Sequence, residues 1–521
     1  MLYLTIAIIT FVSRIVPRLI RRETLTSDTY YHLYRAELIR QNKFKLPLHD
    51  RQLKAFGGIY YPPLYHYALA LFPRRWRYQA EKYLGPCCDT LLVVIALRFA
   101  HIILPGTISQ SGLFYLGCAI ALNPLFTYCG NGPRVYGGTA RIVGQLFFYC
   151  SIVGLLLYLQ GGNSKYLLLF IGSGALVLLT SRFGVQAWIV AVLGIALFSG
   201  VSLILIYALL SGLTALLITK GSYVRILKAH INHLYNHIVH AKSIDGVLLK
   251  RSKEWKYLSH KEGLKQLLFH DYYFIYSTRN IGFIALATVA VLLGLKGGIV
   301  ATESLYPLWG WVLSLQVASF LTSRKKLLFL GEAERYLEYA AVPVLIMLTQ
   351  YMVYLAPNNV EMLLVIAVYG YCVPYYLAQL FIYVQWHKEY SGGQDYDHVI
   401  DKLNTMQNLV ILPIIRDQPW RTAYLTQHMI ACMPKDERSA QGREDLSAFY
   451  LLYPWPHTDL KRYMRDHSVN TVVTEKRLLK ALSARGIHYD LAGYEKVYDN
   501  NRYEIYQHRQ CNDNAAVGGL I

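Results

Sequence analysis

The stretch SDTYYHLYRAELIRQ, Ser27 to Gln41, follows the first apolar segment of a 521-residue chain. It has no proline or glycine and is compatible with a helix opening at Ser27 or Asp28. On that helix Asp28, His32 and Arg35 stand at i, i+4 and i+7, so all three share one face. A carboxylate in such a patch can accept a proton from an attacking hydroxyl or ligate a divalent cation, and an arginine can pair with a departing phosphate. The plain alternative is that Asp28 caps the helix while His32 and Arg35 face water.

The surrounding chain gives the patch its setting. Hydrophobic residues make up 54% and charged residues 16%, with a mean hydropathy of +0.27, which excludes a water-soluble enzyme and points to a polytopic membrane protein. The apolar residues gather in runs such as LLVVIALRFAHIIL, YLLLFIGSGALVLL, IGFIALATVAVLLG and MLLVIAVYGYCVPYYLAQLFIYV, many approaching the ~20 residues a helix needs to cross hydrocarbon. Candidate spans cover 1–17, 58–72, 89–104, 110–128, 140–159, 166–184, 186–219 (one long helix or two short), 281–301, 305–321, 337–356 and 360–386, about eleven or twelve crossings. Residues 1–17 are read as the first membrane helix, because Val16-Pro17-Arg18 lacks a small-residue cleavage pattern and further spans follow.

The formal charge of +20 suggests an anionic partner: lipid phosphate, headgroups or a phosphorylated substrate, with nucleic acid excluded by the membrane setting. The eight cysteines show neither metal-ligand spacing nor a disulfide framework. The basic loop PRRWRYQAEK, Pro73 to Lys82, is expected in the cytoplasm and Ser27 to Gln41 on the opposite, external side; Arg18, Arg21 and Arg22 argue the reverse. KSIDGVLLKRSKEWKYLSHKEGLKQ, between Lys220 and Asn280, reads as amphipathic surface helices or a solvated basic loop. The expected division is a membrane domain over 1–388, with a first external loop over about 18–57, and a soluble α/β domain over 389–521. In the latter, NLVILPI, NTVVTEK and a hairpin turning at Asp499-Asn500-Asn501 read as strands, and LKRYMRDH as a helix. The side on which this domain lies depends on whether 186–219 crosses once or twice.

The order of features resembles the C-type (GT-C) membrane glycosyltransferases: a first membrane helix, an external loop opening with Asp28-Thr29-Tyr30-Tyr31-His32, a loop helix, then Tyr61-Pro62-Pro63-Leu64-Tyr65 leading into the second span. The DTYYHL string is also similar to the catalytic subunit of oligosaccharyltransferases, although their Trp-Trp-Asp-Tyr-Gly motif is missing and Tyr306-Pro307-Leu308-Trp309-Gly310-Trp311 is no substitute. The resemblance implies an α-helical polytopic fold with a small C-terminal α/β domain and an inverting transfer of a hexosyl or pentosyl group from a polyprenyl phosphate to a lipid, glycan or protein hydroxyl. The expected location is a bacterial inner membrane, with the site on the periplasmic side. Asp28 is the expected base and Tyr31, His32, Arg35, Tyr61, Arg182, Glu334 and Arg335 the expected binding residues. No cofactor is required; a divalent cation, Mg or Mn, stays open.

Each further residue has a plainer reading. Arg335 reads as a phosphate contact or a snorkelling arginine, Arg182 as a functional charge or a helix end, and Arg134 and Arg141 of GNGPRVYGGTAR as an anion nest or ordinary flanking charges. A transporter or lipid flippase is the rival class, disfavoured by the lack of repeated halves and by the appended domain.

Overall fold

The computed structural model describes residues 1–20, 27–47, 52, 61–104, 106, 108–128, 133–240, 281–295, 305–323, 327, 330–331, 333–389, 393–415, 420–431, 460–483 and 488–509. The basic segment Lys242 to Gln266, Glu332, Lys325 and Lys326 lie outside the described residues. Helices dominate, and six are long and apolar enough to cross a membrane: Leu2–Ile20 (α1), Arg74–Ile103, Ala140–Gly161, Arg182–Ser199, Ala333–Leu355 and the continuous stretch Pro357–Gln385. Leu203–Ile218 followed by Tyr223–Asn232, bent by 115°, makes a seventh candidate. Shorter apolar helices over Gln110–Ala121, Ser164–Leu178, Ile281–Leu295 and Tyr306–Thr322 complete the bundle.

Local sequence sets the breaks. Gly162 (φ +65°) and Gly200 (φ +69°) take left-handed conformations that end the helices before them. The stretch 186–219 is therefore two helices. Thr139 and Ser181 cap the helices that follow by accepting from the backbone N–H of Arg141 and Gly184, which places Arg141 and Arg182 in first turns.

Two expectations are corrected at the start of the bundle. Among the described residues the candidate span 58–72 holds only the seven-residue helix Leu64–Ala70, roughly 10 Å long and far too short to cross. The second crossing is instead the 30-residue helix Arg74–Ile103, and PRRWRYQAEK forms its first turns, not a loop. Among the described residues no crossing separates them, so Pro73 to Lys82 and the helix Ser27–Gln41 (α2) lie on one side of the membrane. The Arg77–Glu37 ion pair and the Arg40 Nη1 donation to Ala70 O at 3.0 Å join them. The basic charge there serves packing: Arg18 is buried and donates to Lys82 O and Arg134 O, each at 3.1 Å.

The C-terminal residues carry a five-stranded sheet of order β2-β1-β3-β5-β4, with β1 Val410–Ile414, β2 Met429–Ile430, β3 Thr471–Glu475, β4 Tyr494–Asp499 and β5 Tyr503–His508. β1 runs parallel to β2 and β3; β5 is antiparallel to β3 and β4. The hairpin turns at 500–502, with Asn500 Oδ1 accepting from the backbone of Arg502 and Tyr503. One face of the sheet shares a core with α2: Tyr30, Leu33, Tyr34 and Leu38 pack with Val399, Ile411, Trp420, Tyr424 and Ile505. Ala36 and Ile39, on another face of α2, belong to the bundle core. The helix is thus held from both directions, and the sheet lies on its side of the membrane.

Candidate functional site

α2 places Asp28 in its first turn, exposed, and His32 and Arg35 below it, buried. The reading in which His32 and Arg35 simply face water fails. His32 Nδ1 lies 2.9 Å from His66 Nε2 on the short helix Leu64–Ala70. Burial pushes His32 down to about 4, with Asp28 opposing and Arg35 adding to the shift, so the imidazole is neutral at pH 7. Arg35 donates from Nη2 to Tyr31 Oη at 3.2 Å and its guanidinium sits 5.0 Å from the centre of that ring.

Tyr31 is the hub. Its half-buried ring has edge contacts with Tyr61 at 5.7 Å, with His66 at 5.9 Å and with Trp420 of the C-terminal region at 4.9 Å. From Tyr61 the line continues into the bundle. Arg182 lies 5.0 Å over the Tyr61 ring, and the two segments are joined where Leu64 N–H donates to Leu179 O at 2.9 Å. Next to Arg182, the Phe183 ring has Arg335 5.7 Å above it and Tyr336 4.8 Å beside it. Tyr31, His32, Arg35, Tyr61 and Arg182 are therefore in one contiguous group, and Arg335 joins it through Phe183. Glu334 is buried at the start of the helix Ala333–Leu355.

A second cluster lies beneath the first turn of α2. Arg134 donates to Asp89 Oδ1 at 2.8 Å and to Glu338 Oε2 at 3.1 Å, Arg14 donates to Asp89 Oδ2 at 3.0 Å, and Arg141 stands 3.6 Å from Glu338. All five side chains are buried. Arg134 and Arg141 are thus partners in an interior ion network, not flanking charges; 130–132, the glycine end of the supposed nest, lie outside the described residues. The buried Thr29 hydroxyl accepts from Gly138 N at 3.1 Å, and any side chain at Gly138 would run into Glu81 and Tyr65. The residue after Asp28 is therefore tied directly to the turn that follows the short helix Pro133–Tyr136, which carries Arg134.

His66, Trp420, Glu81, Asp89 and Glu338 escaped the sequence reading. Asp89 and Glu338 carried a usable signal, an acid inside an apolar window. Trp420 carried none, since its contact comes from a segment almost 400 positions away. Among the described residues no group of three or more His, Cys, Asp or Glu could hold a metal ion, and His32 and His66 are bonded to each other.

The multi-pass bundle, the α2 helix between bundle and sheet, and the C-terminal α/β sheet together are the GT-C fold. Among solved structures, the chain is similar to ArnT from Cupriavidus metallidurans bound to undecaprenyl phosphate, with a TM-score of 0.53 and 11% identity over 97% of each chain. It is also similar to the Archaeoglobus fulgidus oligosaccharyltransferase in the apo form, with a TM-score of 0.55 and 11% identity over 98% of this chain and 74% of that one. No family model and no curated protein matches the sequence.

Proposed function

We propose that this protein is an inverting membrane glycosyltransferase that moves a sugar from a polyprenyl-phosphate donor to an acceptor hydroxyl at the external membrane face. The observation that carries the reading is the exposed Asp28 at one end of a continuous line of arginines and aromatic rings through Tyr31, Arg35, Tyr61 and Arg182. The similar fold of a protein solved with undecaprenyl phosphate bound supports the donor class.

In this reading Asp28 takes the proton of the acceptor hydroxyl as its oxygen attacks the anomeric carbon. The bond from that carbon to the phosphate oxygen breaks, and the phosphate leaves with the electron pair on its lipid. Arg35, Arg182 and Arg335 supply positive charge where negative charge grows, in a setting poor in water where such charge acts strongly. Tyr31 and Tyr61 offer ring faces and hydroxyls to the sugar. The neutral His32 and His66 pair fixes α2 against the short helix below it, so Asp28 is presented on a rigid support. A polyprenyl donor requires no nucleotide sugar on the face where α2 lies, and no step needs a metal.

Mass analysis of lipids retained by the purified protein tests the donor class. A polyprenyl phosphate, bare or sugar-loaded, is the expected species; retention of ordinary phospholipids alone would overturn it.

A further inference from the structure

We infer that the C-terminal end of α2 is a foot that docks on anionic phospholipid headgroups and ties this helix to the bilayer surface. The helix ends without a glycine. Lys43 (φ +53°) and Phe44 (φ +59°) both take the left-handed conformation, which is unfavourable for a β-carbon and worst for a bulky ring. The turn is closed by Phe44 N–H to Ile39 O at 2.9 Å, Lys45 N–H to Asn42 O at 3.0 Å and Asn42 Nδ2 to Lys45 O at 3.1 Å. Glycine would make the same closure more easily. The chain instead spends a strained position on a phenylalanine that stays 44% exposed.

Its neighbours say what the ring meets. Arg40 Nη1 donates to Ala70 O and Leu71 O, which brings this turn against the corner where Leu71, Phe72 and Trp76 are 69%, 43% and 56% exposed. Trp76 opens a stripe on the helix Arg74–Ile103 that continues at helical spacing through exposed Tyr83, Cys87, Leu91 and Ile102, the face that looks at lipid. At 30 residues that helix is roughly 45 Å long, which exceeds a hydrocarbon core of about 30 Å and carries its ends into the headgroup layers. The first turn, with Trp76, therefore sits at headgroup depth, and so does the foot beside it. Exposed Arg40, Lys43, Lys45 and Arg75 surround the apolar residues, and neither 38–47 nor 70–76 contains an acid. Aromatic rings with lysine and arginine at this depth suit an anionic headgroup over a zwitterionic one.

The test uses the full-length protein in nanodiscs of phosphatidylcholine, with and without phosphatidylglycerol. A nitroxide on F44C, in a cysteine-free background, reports immersion by its collisions with oxygen and with a water-soluble nickel chelate. Native mass spectrometry reports retained phosphatidylglycerol for wild type and for K43Q/K45Q/R75Q. The expected results are a label shielded from the chelate and a several-fold drop in retained phosphatidylglycerol in the charge variant. F44G separates this role from a folding role: it should melt in detergent at or above the wild-type temperature while retaining less phosphatidylglycerol. A label open to the chelate, retention unchanged by the charge variant, or an F44G protein that melts lower in detergent would each overturn the inference.

Discussion

His32 Nδ1 and His66 Nε2 stand 2.9 Å apart, a hydrogen bond between two buried imidazoles that requires at least one of them to be neutral. Burial pushes His66 down as well, with His32 and Arg35 adding to it. For His32 the folded value of about 4 lies below the unfolded 6.5, so between these pH values the unfolded chain binds more protons. Stability is complete above pH 6.5 and is lost as pH falls toward 4, by on the order of 3 kcal/mol from this residue. The melting temperature in detergent should drop across that window, and H32Q/H66Q should flatten the dependence; an unchanged slope in the double variant would show the pair is not its source.

Gly194 and Gly310 meet where two helices cross, and a β-carbon on either would strike the backbone of the other helix. G194A or G310A should force Arg182–Ser199 and Tyr306–Thr322 apart and cost about 1–3 kcal/mol, the usual penalty of overpacking. G212A, where nothing lies within 4 Å, is the matched control. Equal melting temperatures for the three variants would contradict the packing described.

The interior ion network predicts a different signature. D89N leaves Arg14 and Arg134 short of a partner in a buried site, and E338Q does the same to Arg134 and Arg141. Losing one member of such a set costs about 3–5 kcal/mol, because the surviving charge stays buried. Both variants should show sharply reduced yields of folded protein, with little sensitivity to salt. Wild-type melting for D89N would remove the network from the account of stability.

How much of this was open to reading from the sequence differs by element. The apolar runs announced the bundle, and the Asp499-Asn500-Asn501 turn announced the hairpin, because both signals are local. The short helix Leu64–Ala70 was misread as a span, since its alternation of aromatic and apolar residues matches hydropathy without the length to cross. That error put Pro73 to Lys82 and α2 on opposite sides, and the positive-inside argument then agreed with it. Arg18, Arg77 and Arg134 are buried and bonded, so their charge records interior packing, which a loop-charge count cannot detect. The placement of Asp28, His32 and Arg35 on one helix was legible from spacing, whereas His66 and Trp420 reach their neighbours on it only through tertiary folding.

The corrected topology is testable by itself. Single cysteines at Asp28 and at Asn500, in a cysteine-free background, should react with an impermeant maleimide from the same side of sealed vesicles, and one at Gly162 from the opposite side. Labelling of 28 and 500 from different sides would refute the joint packing of α2 with the sheet.

Substitution of Asp28 by Asn is the most direct measurement of all. It keeps the size of an exposed side chain in the first turn of α2 and removes the negative charge and with it the capacity to take a proton. Sugar transfer from the polyprenyl-phosphate donor should fall by about 10²–10⁴-fold, with donor retention and melting temperature unchanged. A D28N protein that transfers sugar at the wild-type rate would contradict the assignment of Asp28 as the base.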